Sequence, residues 1–160
     1  MTYGSGSFSG EEWLDTVTLA PDLMISQQSI GVASSSSGFD GFDGVLGMGP
    51  VDLTVDRVSN TETVPTVMDN LRSQGKISEE IFSLYYTPTS ESSTGELTLG
   101  GYDNSVITSS VNYVPLTTTS PASEFWGIDQ SITYGSDTIL SSTAGIVDTG
   151  TTFISIATGE

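Results

Sequence analysis

Ile146-Val147-Asp148-Thr149-Gly150-Thr151-Thr152-Phe153 places an acid on a tight turn between two apolar stretches. The β-branched pair before Asp148 favours a buried strand. Gly150, two residues on, lets the backbone turn where a Cβ would clash. Thr149, Thr151 and Thr152 bring hydroxyls that can orient a carboxylate by hydrogen bonding. An acid lifted off a buried strand onto such a loop has little structural purpose there, which makes Asp148 the candidate for chemistry. As a bare tripeptide, Asp-Thr-Gly is weak support, since it recurs by chance and its acid can simply cap a turn.

The composition narrows what that chemistry can be. The chain has 160 residues, enough for one domain or slightly more, with an apolar fraction of 36% that suffices for a core. Abundant Gly, Ser and Thr and short β-branched runs point to an all-β chain. Acids number 20 against Arg57, Arg72 and Lys76, a formal charge of −17. Such a surface repels phosphate backbones and anionic bilayers, so neither nucleic acid nor membrane is expected as a partner. Protonation would relieve the mutual repulsion of the acids, which suits an acidic medium; a solvated acidic surface would look similar. The absence of Cys and His removes thiol nucleophiles, Ser-His-Asp triads and most zinc sites, so no metal and no cofactor is expected. Asp40 and Asp43 fail the i, i+2 acid spacing of an EF-hand loop. No run approaches the roughly 18 to 20 apolar residues of a membrane span. No signal peptide is visible at Met1-Thr2-Tyr3-Gly4-Ser5-Gly6, and no Asn-X-Ser/Thr acceptor occurs.

Gly4-Ser5-Gly6-Ser7 reads as a hairpin tip, with a strand at Trp13–Leu19 leaving it. Further strands are expected at Leu23–Ile30 and Gly44–Met48, with Ser34–Gly38 as a loop. Val64, Val67, Met68 and Leu71 fall at i, i+3, i+4, i+7, one helical face. Pro65 suits the first turn and Gly75 the stop, which predicts a helix near 65–74. Strands follow at Ile81–Tyr86, Gly95–Gly101, Val111–Leu116, Trp126–Thr133, Ile139–Leu140 and Ala144–Val147.

Taken in order, these landmarks resemble the pepsin-like aspartic proteases. Tyr3-Gly4-Ser5-Gly6-Ser7 followed by Gly10 is similar to that family's flap hairpin. Phe42-Asp43-Gly44-Val45-Leu46-Gly47 is similar to the segment supporting its catalytic loop. Gly95-Glu96-Leu97-Thr98-Leu99-Gly100-Gly101-Tyr102-Asp103 resembles the strand crossing between its lobes, and Gly145–Thr151 its second catalytic loop. The resemblance implies a partial pepsin-like bilobal fold, with 1–104 as the remainder of the N-terminal lobe and 105–160 as the start of the C-terminal lobe. The family's first Asp-Thr-Gly-type loop precedes the flap, and about a hundred residues follow its second. The chain therefore reads as the middle of such a protease, with uncovered apolar surface and exposed sheet edges that favour aggregation.

The resemblance implies an aspartic-type endopeptidase that hydrolyses extended peptide or protein substrates in acid. Asp148 would be one catalytic carboxyl. Tyr3 would sit on the flap over the substrate, with Gly4 and Ser5 offering main-chain groups to it. Phe42 and Val45 would line the pocket before the scissile bond; ordinary core packing explains them equally well. Ile146, Phe125 and Trp126 would contact the leaving-group side, and Gly150, Thr151 and Thr152 flank the catalytic turn. The parent would be monomeric, and secreted or vacuolar. No second acid has an Asp-Thr/Ser-Gly context, so this chain alone is expected to be inactive. A protease-derived module that holds peptides without cutting them stays open beside this reading. A symmetric dimer donating one Asp per chain does not fit, because the flap comes first here and Asp148 late.

Overall fold

The computed structural model describes residues 1–88, 90 and 94–156. Its strands form three two-stranded antiparallel sheets among the described residues, distributed over two compact units, Met1–Val111 and Asn112–Glu160.

The first unit begins with a long hairpin, β1 (Ser7–Ala20) and β2 (Leu23–Ser37), which turns at Pro21-Asp22. Ahead of it, Thr2 bridges Ser7 and the Tyr3 N–H donates to the Gly6 carbonyl at 2.7 Å. The tip expected at Gly4–Ser7 is therefore present, and the strand leaving it starts at Ser7 rather than Trp13. Ser34–Ser37, expected as a loop, belongs to β2: Ser7, Phe8 and Ser9 pair with Ser37, Ser36 and Ser35. Serine has little strand preference of its own; here the facing main chain supplies the hydrogen bonds that override it. Ile25 and Gln28 stand three apart and would face opposite sides of a regular strand. A bulge holding Gln27 at φ 57° brings both inward, where they are buried.

Helix α1 (Val67–Ser73) forms where the apolar spacing predicts it. Thr66 is its N-cap: the Asp69 N–H donates to Thr66 Oγ1 and the Thr66 N–H to Asp69 Oδ2, a reciprocal capping box. Pro65 thus precedes the cap instead of occupying the first turn. At the other end Gly75 adopts φ 67°, and the Gly75 and Lys76 N–H groups donate to the Arg72 and Leu71 carbonyls. This Schellman closure turns the chain back along the helix. Val67, Met68, Leu71 and Ile77 bury with Ile25, and Leu19, Leu23, Met48, Phe82 and Leu99 pack around them. The strands expected at Ile81–Tyr86 and Gly95–Gly101 form within slightly shorter bounds, as β3 (Phe82–Tyr85) and β4 (Glu96–Leu99), and the two pair antiparallel.

Polar side chains fasten α1 to β2. Gln74 accepts from the Ser26 N–H and Oγ–H and donates to the Ser26 carbonyl. Asn70 Nδ2 donates to the buried Gln28 Oε1 at 2.9 Å. Asn70→Ala leaves that oxygen unsatisfied, so a loss of about 1–3 kcal/mol is expected in urea unfolding; an unchanged midpoint would show that Gln28 finds another donor.

In the second unit β5 (Gly127–Tyr134) and β6 (Asp137–Ile146) form a hairpin, with Gly135 at φ 60° in its turn. The two short strands expected at Ile139–Leu140 and Ala144–Val147 are one strand: Leu140 pairs with Ile132 and Thr143 with Gln130, and the pairing resumes across a register shift at Ser141-Ser142. Gly44–Met48 and Val111–Leu116 are not strands. Their apolar composition suits pairing, but no described strand runs alongside them. Apolar surface is widely exposed, Trp13 at 59% and Phe153 at 80%. No helix among the described residues is long and apolar enough to cross a membrane.

Candidate active site

Asp148 sits just beyond the β5–β6 ladder. Ile146 pairs with Gly127, and the Val147 N–H donates to the Trp126 carbonyl at 2.9 Å, which extends the pairing by one residue. The chain then turns. Asp148 Oδ1 accepts from the Gly150 N–H at 3.0 Å, and Oδ2 accepts from the Thr151 hydroxyl at 2.5 Å. The Thr151 N–H closes the turn on the Asp148 carbonyl at 3.3 Å. Each carboxylate oxygen thus has a donor from within the loop, which fixes the plane of the group while leaving it exposed. Of the hydroxyls that follow the acid, that of Thr151 holds the carboxylate, whereas Thr152 lies exposed beyond it. The strand feeding the loop is not buried as expected: Ile146 and Val147 are 45% and 52% exposed, since a two-stranded sheet covers little of its own surface.

The foot of β5 is clamped by residues that no sequence motif flags. The Thr117 N–H donates to the Gly127 carbonyl at 2.9 Å, and Thr117 Oγ1 donates to Asp129 Oδ1 at 2.8 Å. A Cβ on Gly127 would lie 2.2 Å from the Ala122 carbonyl oxygen, so only glycine permits this approach. Thr117, Ala122 and Gly127 are all buried. The clamp is local to β5, whose partner β6 leads into Asp148. Phe125 is half-buried beside it and Trp126 is 38% exposed.

The hairpin tip belongs to the first unit. Tyr3 stacks on Phe8 with ring centroids 6.1 Å apart and meets Phe39 edge-on at 5.6 Å. Its partial burial raises its phenol above the usual range. Gly38, at φ 79°, lies so close that a Cβ there would stand 2.1 Å from the Ser5 carbonyl oxygen. Ser5 is exposed, and Gly4 has open space where a side chain would go. The Phe42 N–H donates to the Phe39 carbonyl at 3.1 Å, which ties this turn to the tip. Phe42 and Val45 are 72% and 54% exposed, so the core alternative for them fails among the described residues. Sequence does not single out Phe39; its only signal is an aromatic directly after a glycine that ends a strand. Asp40 and Asp43 are exposed in the same turn. Within the first unit Tyr3, Gly4, Ser5 and Phe42 therefore share one neighbourhood, while Ile146, Asp148, Gly150 and Thr151 share another in the second.

An oriented carboxylate on an Asp-Thr-Gly turn, together with a glycine-rich aromatic hairpin tip, defines an aspartic protease architecture. The family model for eukaryotic aspartyl proteases matches residues 1–160, and the chain belongs to that family of hydrolases. It is 62% identical over 162 residues to polyporopepsin of Irpex lacteus, covering 98% of this chain and 47% of that protein. Pepsin A of Sus scrofa is 35% identical, with 96% of this chain and 39% of the relative covered. The crystal structure of the aspartic proteinase from Irpex lacteus superposes with a TM-score of 0.90 at 60% identity, over 95% of this chain and 46% of that one. The chain spans less than half the length of these relatives.

Proposed function

We propose that this chain supplies one half of the site of an acid endopeptidase, with Asp148 as its catalytic carboxyl. The observation that carries the reading is the loop geometry: Asp148 is exposed, yet both of its oxygens are oriented by Gly150 and Thr151. Peptide hydrolysis without a metal or covalent nucleophile needs a base to activate water and an acid to protonate the leaving nitrogen. Two carboxyls sharing one proton provide both, which is the established description of aspartic proteases. The sequence has a single Asp-Thr-Gly, at 148–150, and no Asp-Ser-Gly. The 160-residue chain by itself is therefore expected not to cleave peptides.

The roles proposed for the remaining residues rest on the family resemblance. Tyr3 caps an extended peptide from the tip, and Gly4 and Ser5 present main-chain groups to it. Phe42 and Val45 offer exposed apolar surface for the side chain before the scissile bond. Ile146, Thr151 and Thr152 flank the leaving-group side, and Gly150 shapes the turn. The partner is an extended peptide or protein, the parent acts as a monomer, and the setting is extracellular or vacuolar.

A chimaera tests the reading. Polyporopepsin in which the matching segment is replaced by this chain should cleave peptides in acid and be blocked by a transition-state mimic of the hydrated amide. A folded chimaera that binds peptide without cleaving it would instead support the holding module.

A further inference from the structure

We propose that Thr117 positions Asp148, holding one edge of β5 while the catalytic turn hangs from the other; this rests on the reading of Asp148 as a catalytic carboxyl. The register shows how the two edges are used. The Val147 N–H donates to the Trp126 carbonyl, which makes Gly127 and Ile146 a facing pair that exchanges no hydrogen bonds of its own. The Gly127 carbonyl therefore points away from β6, and on that side the Thr117 N–H donates to it at 2.9 Å. The Trp126-Gly127 segment is thus held from both edges. Thr117 holds one, and the residue just before Asp148 hangs on the other.

The Thr117 hydroxyl adds a second tie. Thr117 is 6% exposed, and its Oγ1 donates to Asp129 Oδ1 at 2.8 Å while accepting the Thr119 N–H at 3.2 Å. Both capacities of the hydroxyl are therefore in use. Thr117 grips β5 at Gly127 through the main chain and at Asp129 through the side chain, so the strand cannot pivot about a single bond. It also meets Gly127 closely, since a Cβ there would lie 2.9 Å from Thr117 Cγ2. A two-stranded hairpin has little stiffness of its own. β6 follows β5 through the pairs Ile128–Gly145 and Gly127–Ile146, and Asp148 comes two residues later. A shift at the foot of β5 therefore passes to the carboxyl, where a displacement of about 1 Å can cost on the order of 10²-fold in rate.

Thr117→Val tests this, because it keeps the size and the main-chain N–H but removes the hydroxyl. In the whole chain followed by NMR, exchange of the Val147 amide should quicken about fivefold, the scale of one lost hydrogen bond. The Tyr134–Asp137 end of the hairpin should be unaffected, and Thr117→Ser should restore most of the wild-type protection. Asp129→Ala changes an exposed residue, leaves the buried position intact and should act in the same direction. In the polyporopepsin chimaera, Thr117→Val should lower kcat about tenfold with KM little changed, and Thr117→Ser should recover it. Exchange unmoved at Val147, or quickened equally along the whole hairpin, overturns the proposal. So does an unchanged kcat in a chimaera that Asp148→Asn inactivates. Wild-type rates in Asp148→Asn would overturn it through the reading of Asp148 rather than the hold of Thr117, which the exchange rates record separately.

Discussion

Asp148→Asn in the polyporopepsin chimaera should lower kcat by about 10²–10⁴-fold while leaving KM little changed, the usual scale for removing a positioned general acid or base. The substitution is nearly isosteric. The oxygen of the new carboxamide can still accept the Gly150 N–H, and the Thr151 hydroxyl can rotate to accept from its NH₂ group. Asp148 is exposed, so its replacement should move stability by no more than about 0.5 kcal/mol. A large kinetic loss without a stability loss separates a chemical role from a turn-capping one. Wild-type rates in the Asp148→Asn variant would return Asp148 to the status of a capping residue.

Leu71→Ala should be the most damaging single change to the first unit. Leu71 is 0% exposed and lies at the centre of the cluster formed with Ile25, Val67, Met68 and Ile77. Truncating a fully buried leucine costs about 2–5 kcal/mol, the spread reflecting how far the site collapses. Against a total stability of about 5–15 kcal/mol, that removes a large share. The main chain here also carries the Schellman closure, with the Lys76 and Ile77 N–H groups donating to the Leu71 carbonyl. Urea unfolding monitored by far-ultraviolet circular dichroism would measure the loss. Leu71→Met, which roughly conserves volume, should cost less than about 1.5 kcal/mol. Equal losses in the two variants would mean that shape rather than the cavity governs the site.

The features that sequence reveals here are those whose causes are local. Pro65, Gly75 and the spacing Val64, Val67, Met68, Leu71 place α1 to within two residues, because caps and helical periodicity act over a few positions. The alternation Glu96-Leu97-Thr98-Leu99 likewise marks β4. Gly44–Met48 and Val111–Leu116 read as strands from composition, but a strand exists only through a partner distant in the chain. Ser34–Ser37 fails in the opposite sense: a run with loop composition becomes strand because Ser7–Gly10 lies opposite it.

The site divides in the same way. Asp148 and Thr151 stand out because the turn that joins them is three residues long. Phe39 meets Tyr3 across more than thirty residues, and Thr117 reaches Gly127 and Asp129 around an intervening loop. No short motif marks either contact.

The most direct measurement is hydrolysis of a protein substrate in acid by the purified 160-residue chain, with its Asp148→Asn variant as control. No cleavage above buffer is the expected result, because a lone carboxyl cannot serve as both the base for water and the acid for the leaving nitrogen. Turnover by the wild-type chain that disappears in the variant would contradict the half-site assignment.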